Sequence, residues 1–191
     1  MTSVTTAGSG TERSGFRVEP HSDGGHRLHV TGKLPIDWVG NLACGLSRNG
    51  VSITHGKVFR EGAMSWHGHI ALKRAATGTP PERIDYQQLV RSAAERPDAA
   101  VWLDSFQLRQ TSEQGGTLFL EIEGEDQHGF LGIFLDRLSF YSLFPAHLEI
   151  ETFGGRIHDR FWLQGVGGTQ PTETIARALR RALEKMVTKS A

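Results

Sequence analysis

The sequence predicts an α+β protein made of two similar units in tandem, each an antiparallel sheet with its helices on one face. Three observations carry this. Apolar and polar residues alternate over several short segments, apolar residues at helical spacing follow them, and the whole order recurs at an offset of about ninety residues. Residues 1–14, rich in Ser, Thr and Gly with almost no large apolar side chains, are expected to be a flexible tail. The first unit then covers residues 15–97 and the second residues 98–191.

Phe16-Arg17-Val18 matches Phe106-Gln107-Leu108, and Leu28-His29-Val30-Thr31-Gly32 matches Leu120-Glu121-Ile122-Glu123-Gly124; both pairs alternate as half-buried strands do. Asp37-Trp38-Val39-Gly40 and Asp126-Gln127-His128-Gly129 then open helical patterns. Leu42 and Leu46 continue the first, and Phe130, Phe134, Leu138 and Tyr141 the second. Second strands begin at Val51-Ser52-Ile53 and His147-Leu148-Glu149-Ile150. They turn at Glu61-Gly62 and Gly154-Gly155, where glycine supplies the positive φ of a tight hairpin, and return over residues 64–72 and 156–163.

Pro81-Glu82 and Pro171-Thr172 mark the last helix of each unit, because proline fits the first helical turn. In the final helix Ile175, Leu179, Leu183, Met186 and Val187 share one face. Arg177, Arg180, Arg181 and Lys185 lie largely on others and read as a solvated surface. Residues 96–100 carry the junction. The leading strands, near residues 16–19 and 101–110, either complete the outer edge of their own sheets or exchange between copies.

Composition narrows the functional classes. With 21 basic and 21 acidic side chains among 191 residues, the chain has no net charge, which argues against a broad nucleic-acid surface. A single cysteine, Cys44, excludes an intrachain disulfide and reads as a buried helix residue. No apolar run reaches the roughly 20 residues of a membrane span, and the first residues lack a signal-peptide pattern, so a cytoplasmic location is expected.

On its two Asp-x-x-Gly turns, Asp37-Trp38-Val39-Gly40-Asn41-Leu42 and Asp126-Gln127-His128-Gly129-Phe130-Leu131, and on the stretch Gly155-Arg156-Ile157-His158-Asp159-Arg160-Phe161-Trp162-Leu163-Gln164, the chain resembles the ACT family. ACT domains are ferredoxin-like (βαββαβ-type) units. They occur as tandem copies at the C-terminus of bacterial nitrogen-sensing uridylyltransferases and singly in many amino-acid biosynthetic enzymes. The resemblance covers about residues 15 to 190 and is better in the second copy; Leu34-Pro35-Ile36 and Trp66-His67-Gly68-His69 depart from the pattern in the first. It implies an amino-acid site at an interface between domains, with Asp37, Trp38, Val39, Gly40 and Asn41 and Asp126, Gln127, His128, Gly129 and Phe130 as the ligand-binding residues. Physically, a glycine at a strand-to-helix turn admits a ligand close to the backbone, and the first N–H groups of the helix favour a carboxylate. The competing reading is that the glycines make the turns and Asp37 and Asp126 cap the helices.

Other chemistry is weaker. His67 and His69 project from one face of a strand near His55, but no fixed Asp or Cys ligands accompany them, so no metal site is expected. Gly165-Val166-Gly167-Gly168 lies between a strand and a helix without the lysine of a phosphate loop and reads as a connector. Glu121, Glu123, Glu125 and Asp126 form an acidic group whose first two members belong to the polar face of a strand. Trp38, Trp66, Trp102 and Trp162 read as core or interface residues. No catalytic set emerges, and no cofactor.

The expected function is therefore non-catalytic: a regulatory or sensor protein binding an amino acid or similar small anionic ligand where two ACT-like units meet. Homodimerisation and a partner enzyme are expected; nucleic acid and membrane are not. The alternative is a ligand-independent interaction module docking an enzyme or regulator, followed by an enzyme of unrecognised type on the same scaffold.

Overall fold

Period-two alternation becomes strand wherever one side of the chain can be buried, and among the described residues that happens eight times. The computed structural model describes residues 15–22, 24–62, 65–92, 99–112 and 116–187. The tail at residues 1–14, Met64, and residues 96–98 of the junction, with the boundary between units, lie outside the described residues. The first unit runs β1 (Gly15–Pro20), β2 (His26–Lys33), α1 (Trp38–Arg48), β3 (Val51–Glu61), β4 (Ser65–Arg74), a 3₁₀ turn (Pro81–Arg83) and α2 (Tyr86–Arg91). The second repeats that order as β5 (Ser105–Thr111), β6 (Thr117–Glu125), α3 (Phe130–Ser139), β7 (Phe144–Phe153), β8 (Arg156–Gln164), a 3₁₀ turn (Val166–Gly168) and α4 (Glu173–Met186).

The strands form one eight-stranded antiparallel sheet in the order β1-β2-β4-β3-β7-β8-β6-β5. Two separate four-stranded sheets were the expectation. They merge because β3 and β7 pair directly, from His55 opposite Glu151 to Phe59 opposite His147, with Lys57 bonded to Glu149 at 2.7 Å. Opposite charges across strands favour this pairing. Each half keeps an order compatible with a ferredoxin-like sheet, its leading strand at the outer edge. β1 pairs with β2 and β5 with β6, so nothing is exchanged between the halves.

One side of the sheet is apolar. Leu28 and Val30, Val58, Ile70 and Leu72, Leu148 and Ile150, Phe161 and Leu163, and Leu118 and Leu120 join Leu42, Leu46, Phe134, Leu138, Leu179 and Leu183 of the helices in one core cluster that runs through both halves. Cys44 is buried in α1. The opposite side carries the alternate residues. Lys57, Glu149, Arg160 and Glu121 pair in sequence across it (Arg160 to Glu121 2.8 Å, to Glu149 3.5 Å), so Glu121 is an ion-pair partner. Beside that row Phe59, His147, Trp162 and Phe119 are in ring contact, His147 stacked on Trp162 at 4.2 Å, and Arg109 lies over Phe119.

Several boundaries differ from expectation. Pro81 opens only the 3₁₀ turn; α2 starts after Asp85, whose carboxylate accepts the Gln88 N–H at 3.0 Å. Pro171 precedes the cap of α4, where Thr172 Oγ1 accepts the Ile175 N–H at 3.3 Å. Tyr141 lies beyond the end of α3, before Ser142 at φ 55°. β7 begins at Phe144, ahead of His147. β5 begins only at Ser105, because Leu103 donates to Met186 O at 3.0 Å and bridges Val187. Trp38 and Trp66 are in the core, edge to face at 5.3 Å, whereas Trp102 is half exposed. No described helix is long and apolar enough to cross a membrane.

Candidate functional site

The β3–β7 pairing decides where the two strand-to-helix corners go. It sets α1 and α3 side by side above the join, packed directly on one another. Each corner, at residues 34–37 and 126–129, consequently lies against the other half of the molecule.

Corner two is open. Its backbone is held by Asp126 N–H donating to Gly155 O at 2.8 Å and by Phe130 N–H donating to Gln127 O at 2.9 Å. Gly129 caps α3 in the left-handed region, φ 75°, where a side chain would be strained. His128 Nε2 is 2.9 Å from Ser47 Oγ of α1, tying the corner to the first half. Gln127 turns away, its side-chain amide gripping the Trp102 backbone through Trp102 N–H to Oε1 (3.2 Å) and Nε2 to Trp102 O (2.9 Å). Between the corner and the first half lies a cavity of about 220 Å³, lined by Ser47, Ser52, Ile53, Asp126, His128, Gly129, Thr152 and Asp159 among others. That is room for several waters or a small ligand.

Two carboxyls give this cavity its character. Asp159 is 1% exposed, and its Oδ1 accepts the Glu151 N–H at 3.2 Å. Burial pushes its pKa up to about 7, against the pull of that N–H and with the Asp126 charge adding to the rise. Burial also raises Asp126, with His128 opposing. Two carboxyls in one cavity, both raised by burial, suit a positively charged or protic ligand group.

Corner one is closed. Asp37 precedes α1 without bonding a helix N–H; instead its carboxylate accepts from Asn41 Nδ2 at 3.2 Å, and the same amide reaches Val90 O at 3.3 Å. Trp38, Val39 and Asn41 are buried. Gly40 is inside the helix and makes no turn. Its counterpart in α3 is Gly132, and the two lie where the helices touch: a Cβ on Gly40 would stand 3.6 Å from Leu135 Cβ, and one on Gly132 would run into Cys44. The space left beside Asp37 and Gly40 is about 20 Å³, room for a single water.

Of the ten residues predicted to bind ligand, Asp126, Gln127, His128, Gly129 and Phe130 therefore line one open cavity, while Asp37, Val39 and Gly40 border a closed one. Trp38 and Asn41 border neither cavity and are built into packing. Asp159, Ser47, Ser52 and Thr152 are additions. Asp159 left a trace in the sequence, as the one polar residue among Ile157, Phe161 and Leu163 on the inward side of β8. His67 and His69 lie on the helix-free face, His67 beside Glu61 at 3.3 Å, and no group able to hold a metal forms among the described residues.

Comparison with protein-family models, with curated proteins and with solved structures found no match to this chain.

Proposed function

We propose that the chain is a regulatory or sensor protein whose ligand is an amino acid or comparable small zwitterion, bound in the cavity at corner two. The observation that carries this reading is the juxtaposition of Asp126 and Asp159 with the N-terminal turn of α3 in one cavity between the two halves. A purely anionic ligand would meet two carboxyls there. A zwitterion satisfies both sides: its ammonium pairs with Asp126 and Asp159, and its carboxylate takes the N–H groups of Leu131 and Gly132 in the first turn of α3, the Phe130 N–H being held by Gln127 O, where the helix dipole favours negative charge. Because the cavity walls come from α1 and β3 on one side and from the corner on the other, a bound ligand favours the docked arrangement of the halves. That is the differential affinity a regulatory response requires. The halves pair within one chain, so a second chain is not needed to build the site.

Isothermal titration of the full chain against the amino acids tests this. At least one is expected to bind, and Asp126→Asn and Asp159→Asn should each weaken it about tenfold or more, the size of a lost hydrogen bond to a charged group. Absence of binding across the whole panel at pH 6 and pH 8 would overturn the proposal. The second reading, a ligand-independent interaction module, draws on the helix-free face, where Phe59 is 40% exposed in the aromatic row. A stoichiometric protein partner held equally by wild type and Asp159→Asn would favour it.

A further inference from the structure

Near corner one the join carries the opposite chemistry. A cavity of about 520 Å³ lies between Leu34, Ile36, Arg60, Gly62 and Trp66 of the first half and Gln164, Gly167 and Gly168 of the second. This volume falls within the ~300–1,000 Å³ common for small-molecule sites. Arg60, half-buried on β3, donates to Gln164 Oε1, and no carboxylate pairs with it among the described residues. Burial alone lowers its pKa; no neighbouring charge contributes. A partly desolvated cation without an anion costs stability, and an incoming anion would recover that cost.

The loop facing Arg60 is the glycine run that reads in sequence as a connector lacking a lysine. Gly167 and Gly168 both take left-handed φ, 70° and 80°, and a Cβ on Gly168 would stand 3.3 Å from Arg60 Nη2. Side chains there would be strained, and at Gly168 would crowd the guanidinium. The N–H of Gly168 closes the turn onto Gly165 O and that of Gly165 bonds Thr169 O, so the loop is a tight turn whose Gly167 and Gly168 line the cavity. A tight glycine turn lets an anion approach the backbone closely, and a guanidinium beside it supplies the charge to hold one. The cation absent from the loop's own sequence is supplied by the other half of the molecule.

We propose that this cavity binds a small organic anion, its carboxylate or phosphate held by Arg60 and the Gly167–Gly168 loop and its apolar part resting against Leu34, Ile36 and Trp66. The site is separate from the zwitterion cavity and does not depend on it.

Titration of the full chain by calorimetry and by ¹H–¹⁵N NMR, with phenylacetate, phenyl phosphate, inorganic phosphate and benzylamine as probes, tests the proposal. Phenylacetate or phenyl phosphate should saturate and shift the Gly167 and Gly168 amides, and the stronger of the two identifies the headgroup. Inorganic phosphate should bind about tenfold more weakly for want of the apolar contact, and benzylamine should leave those amides unmoved. Arg60→Gln should weaken binding about tenfold or more, with Arg60→Lys between it and wild type. Ile36→Trp, which fills the cavity while leaving the Arg60 residue in place, should also block binding and covers the case in which Arg60→Gln does not fold. Asp126→Asn should leave binding unchanged. Saturation by neither aromatic anion, equal affinity in Arg60→Gln, or shifts confined to the Asp126 corner would overturn the proposal.

Discussion

The two ends of the central join are built from matching positions and have become unlike. Leu28 matches Leu120 and Trp38 matches Phe130; in the same register Leu34 stands where Asp126 does and Ile36 where His128 does. On the adjoining strands Gly68 in β4 occupies the place of Asp159 in β8. One end thus has two carboxyls and a histidine, the other an apolar wall and an arginine. The repeated element order puts a cavity at each end, and a few side chains decide its charge and volume. Equivalence by fold therefore says where to look for chemistry, and the residues must be read separately at each end.

The largest effect is expected from trying to make the ends alike. Gly68 has φ 152°, and a Cβ there would overlap Lys57 O and the Val58 backbone. Gly68→Ala, and still more Gly68→Asp, should cost about 3–5 kcal/mol by combining backbone strain with overpacking. Urea denaturation reads this directly, and a loss below 1 kcal/mol would mean that β3 and β4 can move apart and that the ends are more interchangeable than their geometry implies.

Next in size is the pH response of the acidic end. The folded Asp159 pKa, about 7, lies above the ordinary 3.8, so between those values the folded state holds more proton than the unfolded one. Stability from this group is present below about pH 4, falls as pH rises toward 7 and is level above. Glu121 and Glu149, whose pKa values are lowered through hydrogen bonds to Arg160 and Lys57 respectively, act oppositely and only below their ordinary 4.5. His69, whose pKa burial lowers from 6.5, titrates in the same window with the opposite sign, and Asp126 is also raised, so it is the difference between wild type and Asp159→Asn from pH 5 to pH 8 that isolates Asp159. Asp159→Asn keeps the shape and the acceptor for the Glu151 N–H, and should flatten the profile by about 2–3 kcal/mol, gaining stability at pH 8. A variant that stabilises the free protein while weakening the proposed ligand would mark Asp159 as retained for binding. Parallel profiles for wild type and variant would mean the carboxyl is hydrated in solution.

How legible this was depended on the range of the interaction. Strands such as β2 and β6 followed from alternation, and α4 from its apolar face, because burial of one side is written locally. The single sheet was not legible. It rests on β3 meeting β7, a contact between distant segments whose one sequence trace is the opposite charge of Lys57 and Glu149. The first helix after β4 was misplaced because Asp85 caps it more effectively than Pro81 starts it. The corner motif misled in an instructive way. Asp37-Trp38-Val39-Gly40 and Asp126-Gln127-His128-Gly129 are spelled alike, but helix register pairs Asp37 with Gly129 and Gly40 with Gly132. Composition of a tetrad carries less information than its phase against the apolar spacing around it.

The smallest expected effect tests that phase at the helix contact itself. If Gly40 and Gly132 are equivalent packing positions, alanine at each should be read against the neighbour it meets. On Gly132 the added Cβ would press on Cys44 Sγ and stand 3.1 Å from the Cys44 N, so α1 and α3 would have to separate. A loss of about 1–2 kcal/mol is expected, net of the gain in helix propensity. On Gly40 the same atom finds Leu135 Cβ at 3.6 Å, ordinary contact, and the propensity gain of about 0.5–1 kcal/mol should prevail. Opposite signs in thermal denaturation would establish that the helices are in van der Waals contact at Gly132 and looser at Gly40. Because Gly132 also borders the Asp126–Asp159 cavity, Gly132→Ala should shift affinity for the proposed ligand as well, whereas Gly40→Ala should leave it untouched. Equal destabilisation by both would place Gly40 back in a strained turn, as its Asp-x-x-Gly spelling first implied.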